Sequence, residues 1–521
     1  MKTRHIFILC TLMACGNVMA QETYENAKIA AQDLNGTARY VGMGGALDAL
    51  GADISTISSN PAGIGLFRHS RADVSLGMVS QQDAADYSRG NKTNMSFDQV
   101  GFVYSKQNGE KSFVNVGFNY HKSRNFDYIL SAADRLQHAS QNKLTYAKLW
   151  NQLLFRPGFD EGTFDLDNPY PSCNQLDDIY MRNLLYAAGD GNAYFYEAND
   201  YAFDRAHKGY VGEYDFNLSG NINDQVYLGL TFGIYDVHYR HAADYSESMV
   251  PNPDGINNLF VYDERKITGE GFDVKIGAIF RPIEDSPFRF GVSVATPTFY
   301  DLKTRNYTEV SDGNYTAYAD DSYSYKVYTP WKFGLSLGHT IGNKVALGAG
   351  YEYADFSTMD TRVKTGGYYD YYWGVDYEDS ESDDLMNEHT KRTLKGVSTL
   401  KLGAEVKPTP ELSLRAGYNY VSAMYDKDGY KDGTLDSNGS YFSSATDYTN
   451  WDSTNRFTCG VGYQAGKVNL DLTYQYSSST GDFSPFTNYV DNDYVDLDNV
   501  VSAMKVNNKR HQLLFTVGYS F

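Results

Sequence analysis

Cysteine is scarce, with four residues in 521. Cys10 and Cys15 fall in the leading apolar run, which leaves Cys173 and Cys459, too few for a disulfide framework. Past Ala20 no apolar run approaches the roughly 18 residues that a membrane helix requires, so helical spans are excluded. Basic residues are outnumbered, 45 Lys and Arg against 65 Asp and Glu, for a net charge of −20. That balance argues against nucleic acid as a partner. The ten histidines are scattered; His238 and His241 lie three apart, on opposite faces of a strand, so neither zinc nor haem ligation is supported and no metal is expected. No nucleophile motif stands out, so neither an enzyme nor a cofactor is expected.

Tyrosine (46), phenylalanine (28) and glycine (47) are abundant, against 13 prolines. Aromatics with glycine favour strands and tight turns over helices. The leading stretch has Lys2 and Arg4, an apolar run from Ile6 to Cys15, and the small residues Val18 and Ala20. This is the pattern of a secretory signal peptide, residues 1–20, cut after Ala20. A lipoprotein signal ending at Cys15 is a competing reading, with Met13 a poor fit.

Fourteen period-2 runs follow, near 71–80, 96–105, 112–121, 210–221, 226–240, 267–280, 288–296, 323–339, 345–356, 399–406, 412–420, 455–464, 468–476 and 510–521. In many the apolar set is nearly pure: Val114, Val116, Phe118 and Tyr120 alternate with Asn115, Gly117 and Asn119. The gaps alternate between short turn-like links such as "NINDQ" and "TIGNK" and long polar connections, the longest near 122–209. Six short and seven long links describe an all-β, 14-stranded antiparallel transmembrane barrel, residues 68–521, entered and left on one side, with long extracellular loops. An unpaired backbone group in hydrocarbon costs several kcal/mol, so such a sheet must close. The last run, ending at Phe521, would seal it.

The predicted inward faces carry Asp98, Asp273, Lys275, Arg289, Glu352, Lys401, Glu405, Arg415, Arg456 and Asp471, both signs together, as in lumen salt bridges. Arg415 and Arg456 are candidate contacts for a carboxylate head group. Pro330, inside a predicted strand, cannot donate its ladder bond and marks a bulge, an edge or a strand end; it and Pro297 are each open to shaping a wall opening or merely finishing a strand, and Pro297 is read as the latter. "SAADRLQHASQNKLTYAKLWNQLLF" in the longest connection has room for short helices. "DYEDSESDDLMNE" and "DNDYVDLDN", in two of the long loops, are acidic; the second resembles part of a calcium loop but lacks its Gly and closing Glu, and reads as a solvated loop or a loose divalent-ion site instead of an EF-hand.

Residues 24–67 precede the barrel. "GTARYVGMGG" lacks the flanking strand, helix and distal acid of a dinucleotide fingerprint. Small residues in "GMGGALDALGAD" permit close packing, and Asn60-Pro61 favours a turn. "GTARYVGMGGALDALGADISTISSNPAGIGLF" resembles the N-terminal hatch of the FadL-type outer-membrane transport family, with Asn60, Pro61, Ala62 and Gly63 at the Asn-Pro-Ala motif. "FGVSVATPTFYDL", "YTPWKFGLSLGHTIGNKVALGAGYEYADFS" and "RFTCGVGYQAGKVNLDLTYQYSSS" resemble later strands of that family. The resemblance implies a hatch, residues 21–67, plugging the barrel. It implies passive uptake of hydrophobic molecules such as long-chain fatty acids across the outer membrane of a Gram-negative cell, with lateral exit through a gap in the wall. It also makes Phe521 a sorting signal for the barrel insertion machinery, alongside outer-membrane lipid as the surrounding partner. The alternative is a surface-exposed binding or structural protein whose barrel only anchors its loops.

Overall fold

A computed structural model describes residues 22–158, 164–187, 192–283, 286–372, 375–442, 444–490 and 497–521. The expected signal peptide, including Cys15 and Ala20, and most of "DNDYVDLDN" lie outside these residues. Fourteen antiparallel wall strands form a closed ring, several of them in two pieces. In chain order they are β1 Arg71–Gln81, β2 Thr93–Gln107, β3 Phe113–Asn125 continued by Tyr128–Ala139, β4 Ala198–Ile222, β5 Val226–Met249 and β6 Asn258–Phe280. Next come β7 Arg289–Ala295 with Phe299–Ser311, β8 Thr316–Tyr328 with Lys332–Ile341, β9 Val345–Asp355 with Asp360–Asp370, and β10 Val375–Ser382 with Gly396–Val406. The ring finishes with β11 Leu412–Val421, β12 Thr454–Ala465, β13 Val468–Ser484 and β14 Met504–Ser520. Closure pairs Arg71 with Ser520, Val74 with Val517 and Ser80 with His511. The Phe521 amide adds one further bond to the Ser70 carbonyl at 2.9 Å.

The alternation resolves into an inverted protein. Leu218, Leu230 and Ile276 pair across β4, β5 and β6 and are exposed, whereas Asn217, Thr231 and Lys275 beside them are buried. Apolar side chains face outward in a band around the ring, and polar ones fill the inside. A lipid-spanning strand requires that distribution and a water-soluble sandwich forbids it. No described helix is long and apolar enough to cross a membrane. All ten charged residues assigned to the lumen face are buried or half-buried.

Two expectations about the long connections need correction. The stretch 122–209 is strand at both ends: Tyr128–Ala139 pairs with the upper part of β4, as in Ala133 with Ala202. A helix, Gln141–Trp150, begins only after that strand and is capped by Ser140. The acidic stretch "DYEDSESDDLMNE" is not a loop either, but runs from the strand Val375–Ser382 into the helix Asp384–Thr393. Cross-strand pairing outside the bilayer supplies order that local polarity does not reveal. The outward apolar series of β5 ends at Ile234 while the strand continues to Met249. The wall therefore rises far above the lipid there.

Placing a cation in the lipid-facing band should be costly. Leu230→Arg is expected to lower folding stability in phospholipid by about 2–4 kcal/mol, and denaturant titration of the reconstituted protein measures it; an effect near zero would place Leu230 outside the hydrocarbon.

Candidate functional site

Residues 22–67 pack against the inward faces of the wall strands. They hydrogen-bond to inward side chains from strands on all sides, in three tiers. The lowest is the turn after the helix Thr56–Ser59. Asn60 is extended and its Oδ1 accepts from the Ala62 amide at 3.2 Å, capping a 3-10 helix over Pro61–Leu66. Proline suits that first position because its missing N–H would have no partner there. The Pro61 carbonyl accepts from Ser219 Oγ at 2.9 Å. The turn lies against three wall glycines: a Cβ on Gly229 would fall 2.3 Å from the Pro61 carbonyl carbon, one on Gly277 2.1 Å from Asn60 Oδ1, and one on Gly291 2.8 Å from Asn60 Nδ2.

The middle tier is the helix Ala38–Gly42 and the turn after it. Thr37 caps the helix by accepting from the Tyr40 amide at 3.1 Å. Three threonines on adjacent strands hold its backbone: Thr516 accepts from the Ala38 amide at 2.7 Å, Thr473 donates to the Ala38 carbonyl at 2.6 Å, and Thr458 donates to the Gly42 carbonyl at 3.1 Å. Here too the wall gives way to backbone. A Cβ on Gly348 would meet the Ala46 carbonyl oxygen at 1.9 Å, and one on Gly403 the Met43 carbonyl oxygen at 2.3 Å.

The upper tier is the helix Thr23–Ala30. Glu22 pairs with Arg265 and Lys431, each at 3.0 Å. Burial alone would raise the Glu25 carboxyl, but Lys28 and Arg265 overcome that and hold it well below the usual range. Thr23 Oγ1 lies 2.8 Å from His389 Nδ1 and 2.8 Å from Thr390 Oγ1, joining the segment to the outer helix Asp384–Thr393. That helix is capped by Asp383, whose Oδ1 accepts from the Met386 amide at 2.9 Å. Burial pushes the Asp383 carboxyl up to about 6.

The two arginines assigned to head-group contact have protein partners. Arg415 donates to Glu405 at 2.6 Å and to Asp471 at 2.5 Å; Arg456 donates to Asn419 at 2.8 Å and reaches Asp33 at 3.4 Å. Arg456 also borders a cavity of about 160 Å³ in the lumen, lined by Leu34, Tyr40, Val294, Ala295, Lys332 and Ala354 among others.

Pro330 lies where the wall divides. Between the lower and upper ladders, the residues that skip pairing on the side facing this interruption run from two to thirteen: 273–274 on β6 toward β7, 296–298 on β7, 329–331 on β8, 355–359 on β9 toward β8 and 383–395 on β10 toward β9. Pro297 and Pro330 sit side by side in this wedge, and neither can donate to a ladder. Threonine hydroxyls replace the lost carbonyls: Thr296 Oγ1 accepts from the Val274 amide at 3.0 Å and Thr329 Oγ1 from the Thr298 amide at 2.8 Å. Pro297, expected to finish a strand, therefore interrupts one with Pro330. The 160 Å³ cavity lies directly behind, sharing Val294, Ala295, Lys332 and Ala354 with the wedge's lower edge. Trp331 and Phe333, exposed beside Pro330, place the wedge at the outer border of the apolar band.

The Asn-Pro-Ala turn and Pro330 stood out in the sequence; the threonine triplet and the wall glycines did not. The signal for the latter was present: Gly229, Gly277, Gly291, Gly348 and Gly403 all occupy inward positions of predicted strands.

No family model and no curated protein matches the chain. Among solved structures, a FadL homologue of Pseudomonas aeruginosa aligns at 14% identity with a TM-score of 0.50, covering 94% of this chain and 99% of that one. The toluene transporter TbuX of Ralstonia pickettii aligns at 12% identity and 0.47, and the toluene transporter TodX of Pseudomonas putida at 11% and 0.47, each over 94% of this chain and 99% of its own. The chain shares the barrel fold of the FadL homologue along nearly its whole length.

Two outcomes are expected. Gly229→Val, which overpacks the Pro61 contact by about 1–3 kcal/mol, should speed amide exchange across residues 56–66 while leaving β1 and β14 protected; unchanged exchange would remove the contact from the account. The folded state favours protonated Asp383, so its contribution is full below the ordinary carboxylate range and is lost as pH rises through about 6. The helix Asp384–Thr393 should exchange faster in the wild type than in Asp383→Asn at pH 7.5 and equally at pH 4, after correction for intrinsic rates; a constant ratio contradicts this.

Proposed function

We propose that the protein is an outer-membrane channel for passive entry of small hydrophobic compounds, with residues 22–67 acting as its hatch and the wedge at Pro297 and Pro330 as its side exit. One observation carries this reading: residues 22–67 hydrogen-bond to inward side chains of the wall strands, and the cavity beside them abuts an interruption of the wall at the border of the apolar band. An apolar solute gains nothing from a watery axial pore but gains about 25 cal/mol for each Å² moved from water into lipid. A lateral path delivers it to the favoured phase directly. The fold shared with the FadL homologue supports the reading, as does the hatch-like sequence around Asn60, Pro61, Ala62 and Gly63.

In this mechanism Asn60 and Pro61 seat the hatch against the wall glycines, and Thr458, Thr473 and Thr516 hold its middle. The salt bridges of Arg415 keep the lower lumen rigid, so only the upper and wedge-facing parts need yield. The ligand class supported is a compound small and apolar enough to pass Val294, Ala295 and Ala354; a long-chain fatty acid is one candidate and a monoaromatic hydrocarbon another. Phe521, at the end of the closing strand, is assigned the sorting role.

Ala354→Trp fills the cavity behind the wedge without touching the hatch anchors. Uptake of a labelled fatty acid and of toluene into reconstituted liposomes should each be measured. A fall of about tenfold or more for the transported solute, about 1.4 kcal/mol on the barrier, is expected with the barrel still folded. Equal uptake by variant and wild type would reject the exit, and no uptake by the wild type would favour the surface-binding alternative.

A further inference from the structure

The lumen face holds a second constellation that the passage of an apolar solute does not use. His121 of β3 and Glu213 of β4 are directly cross-strand neighbours, and Asp215 follows Glu213 on the same face. One strand further on, Asp215 lies opposite Gly233 of β5, which lies opposite Asp273 of β6. Gly233 leaves the space in which these groups meet: a Cβ there would stand 2.4 Å from Asp273 Oδ1 and 2.6 Å from Lys275 Nζ. Lys275 Nζ occupies that space, 2.8 Å from Glu213 Oε1, 2.8 Å from Asp215 Oδ1 and 3.0 Å from Asp273 Oδ1.

The ammonium engages only one oxygen of each of the first two carboxylates. The other two, Glu213 Oε2 and Asp215 Oδ2, accept no hydrogen bond although their residues are 1% and 0% exposed. Both face the His121 ring, Glu213 Oε2 at 3.5 Å from Nε2 and Asp215 Oδ2 at 3.9 Å from Nδ1. One ligand atom from each of the three residues lies within 4.8 Å of the other two. Three carboxylates contact one ammonium, with Lys332 the next cation toward Glu213 and Asp273, so carboxylates outnumber cations in a cluster away from bulk water. Buried carboxylate oxygens without partners are costly, and a cation is what relieves them.

We propose that His121, Glu213 and Asp215 form a binding site for a divalent first-row transition metal, of the zinc class, within the barrel wall. One imidazole and two carboxylates suit such an ion, whereas calcium and magnesium favour all-oxygen shells. Lys275 holds the far oxygens of both carboxylates and so fixes the two near ones toward the ion, the supporting role that outer partners play in metal sites. His121 and Glu213 also line the 160 Å³ cavity, which gives the ion an entry and room for water as its remaining ligand. Bound there, the ion cross-links β3 to β4. The expectation of no metal rested on spacing within single strands; these ligands come from two strands, 92 residues apart from His121 to Glu213, brought together by direct pairing of β3 with β4.

The test uses tag-free full-length protein in detergent, stripped with a chelator and titrated with Co²⁺, then with Zn²⁺ in competition. One equivalent of Co²⁺ should bind with a visible d–d absorption, Zn²⁺ should displace it, and Zn²⁺ should raise the unfolding temperature. His121→Gln and Asp215→Asn should each weaken binding at least about tenfold, while Glu381→Gln in the exposed acidic strand should not. Retained heat-modifiable migration on gels shows that each variant is folded, and His121→Gln, which adds no charge, serves if Asp215→Asn is not. Binding below one-tenth equivalent, or equal affinity in folded His121→Gln, overturns the proposal.

Discussion

Inside hydrocarbon every backbone N–H and C=O must find a partner within the protein, because none is offered by the solvent. The rest of this structure follows from that constraint. It forces the fourteen strands to close, and it fixes the pairing of β1 with β14 through the last residue of the chain. With apolar side chains turned outward to lipid, the polar alternates are committed to the interior. The interior must then be either water-filled or occupied by something able to satisfy those groups.

Residues 22–67 are the proposed occupant, and they meet the inward faces of the wall with their backbone as much as their side chains. Thr458, Thr473 and Thr516 serve the turn and helix around Ala38, while wall glycines admit main chain where any side chain would collide. The wall and the segment are thus complementary at the level of Cβ atoms, a tighter requirement than hydrophobic matching. The same constraint explains why the wedge near Pro297 and Pro330 lies at the outer border of the apolar band: there, lost ladder bonds can be replaced by Thr296 and Thr329 hydroxyls instead of being left in hydrocarbon. A lateral opening placed lower would expose unpaired amides to lipid.

Much of this was legible in the sequence. Strand number, order and the alternation of short and long links all followed from period-2 runs such as Val114 to Tyr120, because each wall strand has one lipid face and therefore one pure apolar set. The Asn60-Pro61 turn was legible from its own chemistry. Pro330 was recognisable as an interruption, but Pro297 was not seen as its partner, since the wedge is a relation among five strands. The upper wall was misjudged for a similar reason. Above the bilayer nothing selects apolar residues outward, so Tyr128–Ala139 and Val375–Ser382 look like loop sequence and are ordered only by their neighbours. The His121, Glu213 and Asp215 cluster was invisible for the strongest version of that reason, as its members share no local pattern.

The central claim is that the ring encloses its own leading segment. Ion conductance in planar bilayers tests it most directly, comparing the full chain with one lacking residues 22–66. The full chain should carry no steady current and the truncated chain a large, lasting one; equal conductance in the two would mean that the segment does not fill the lumen.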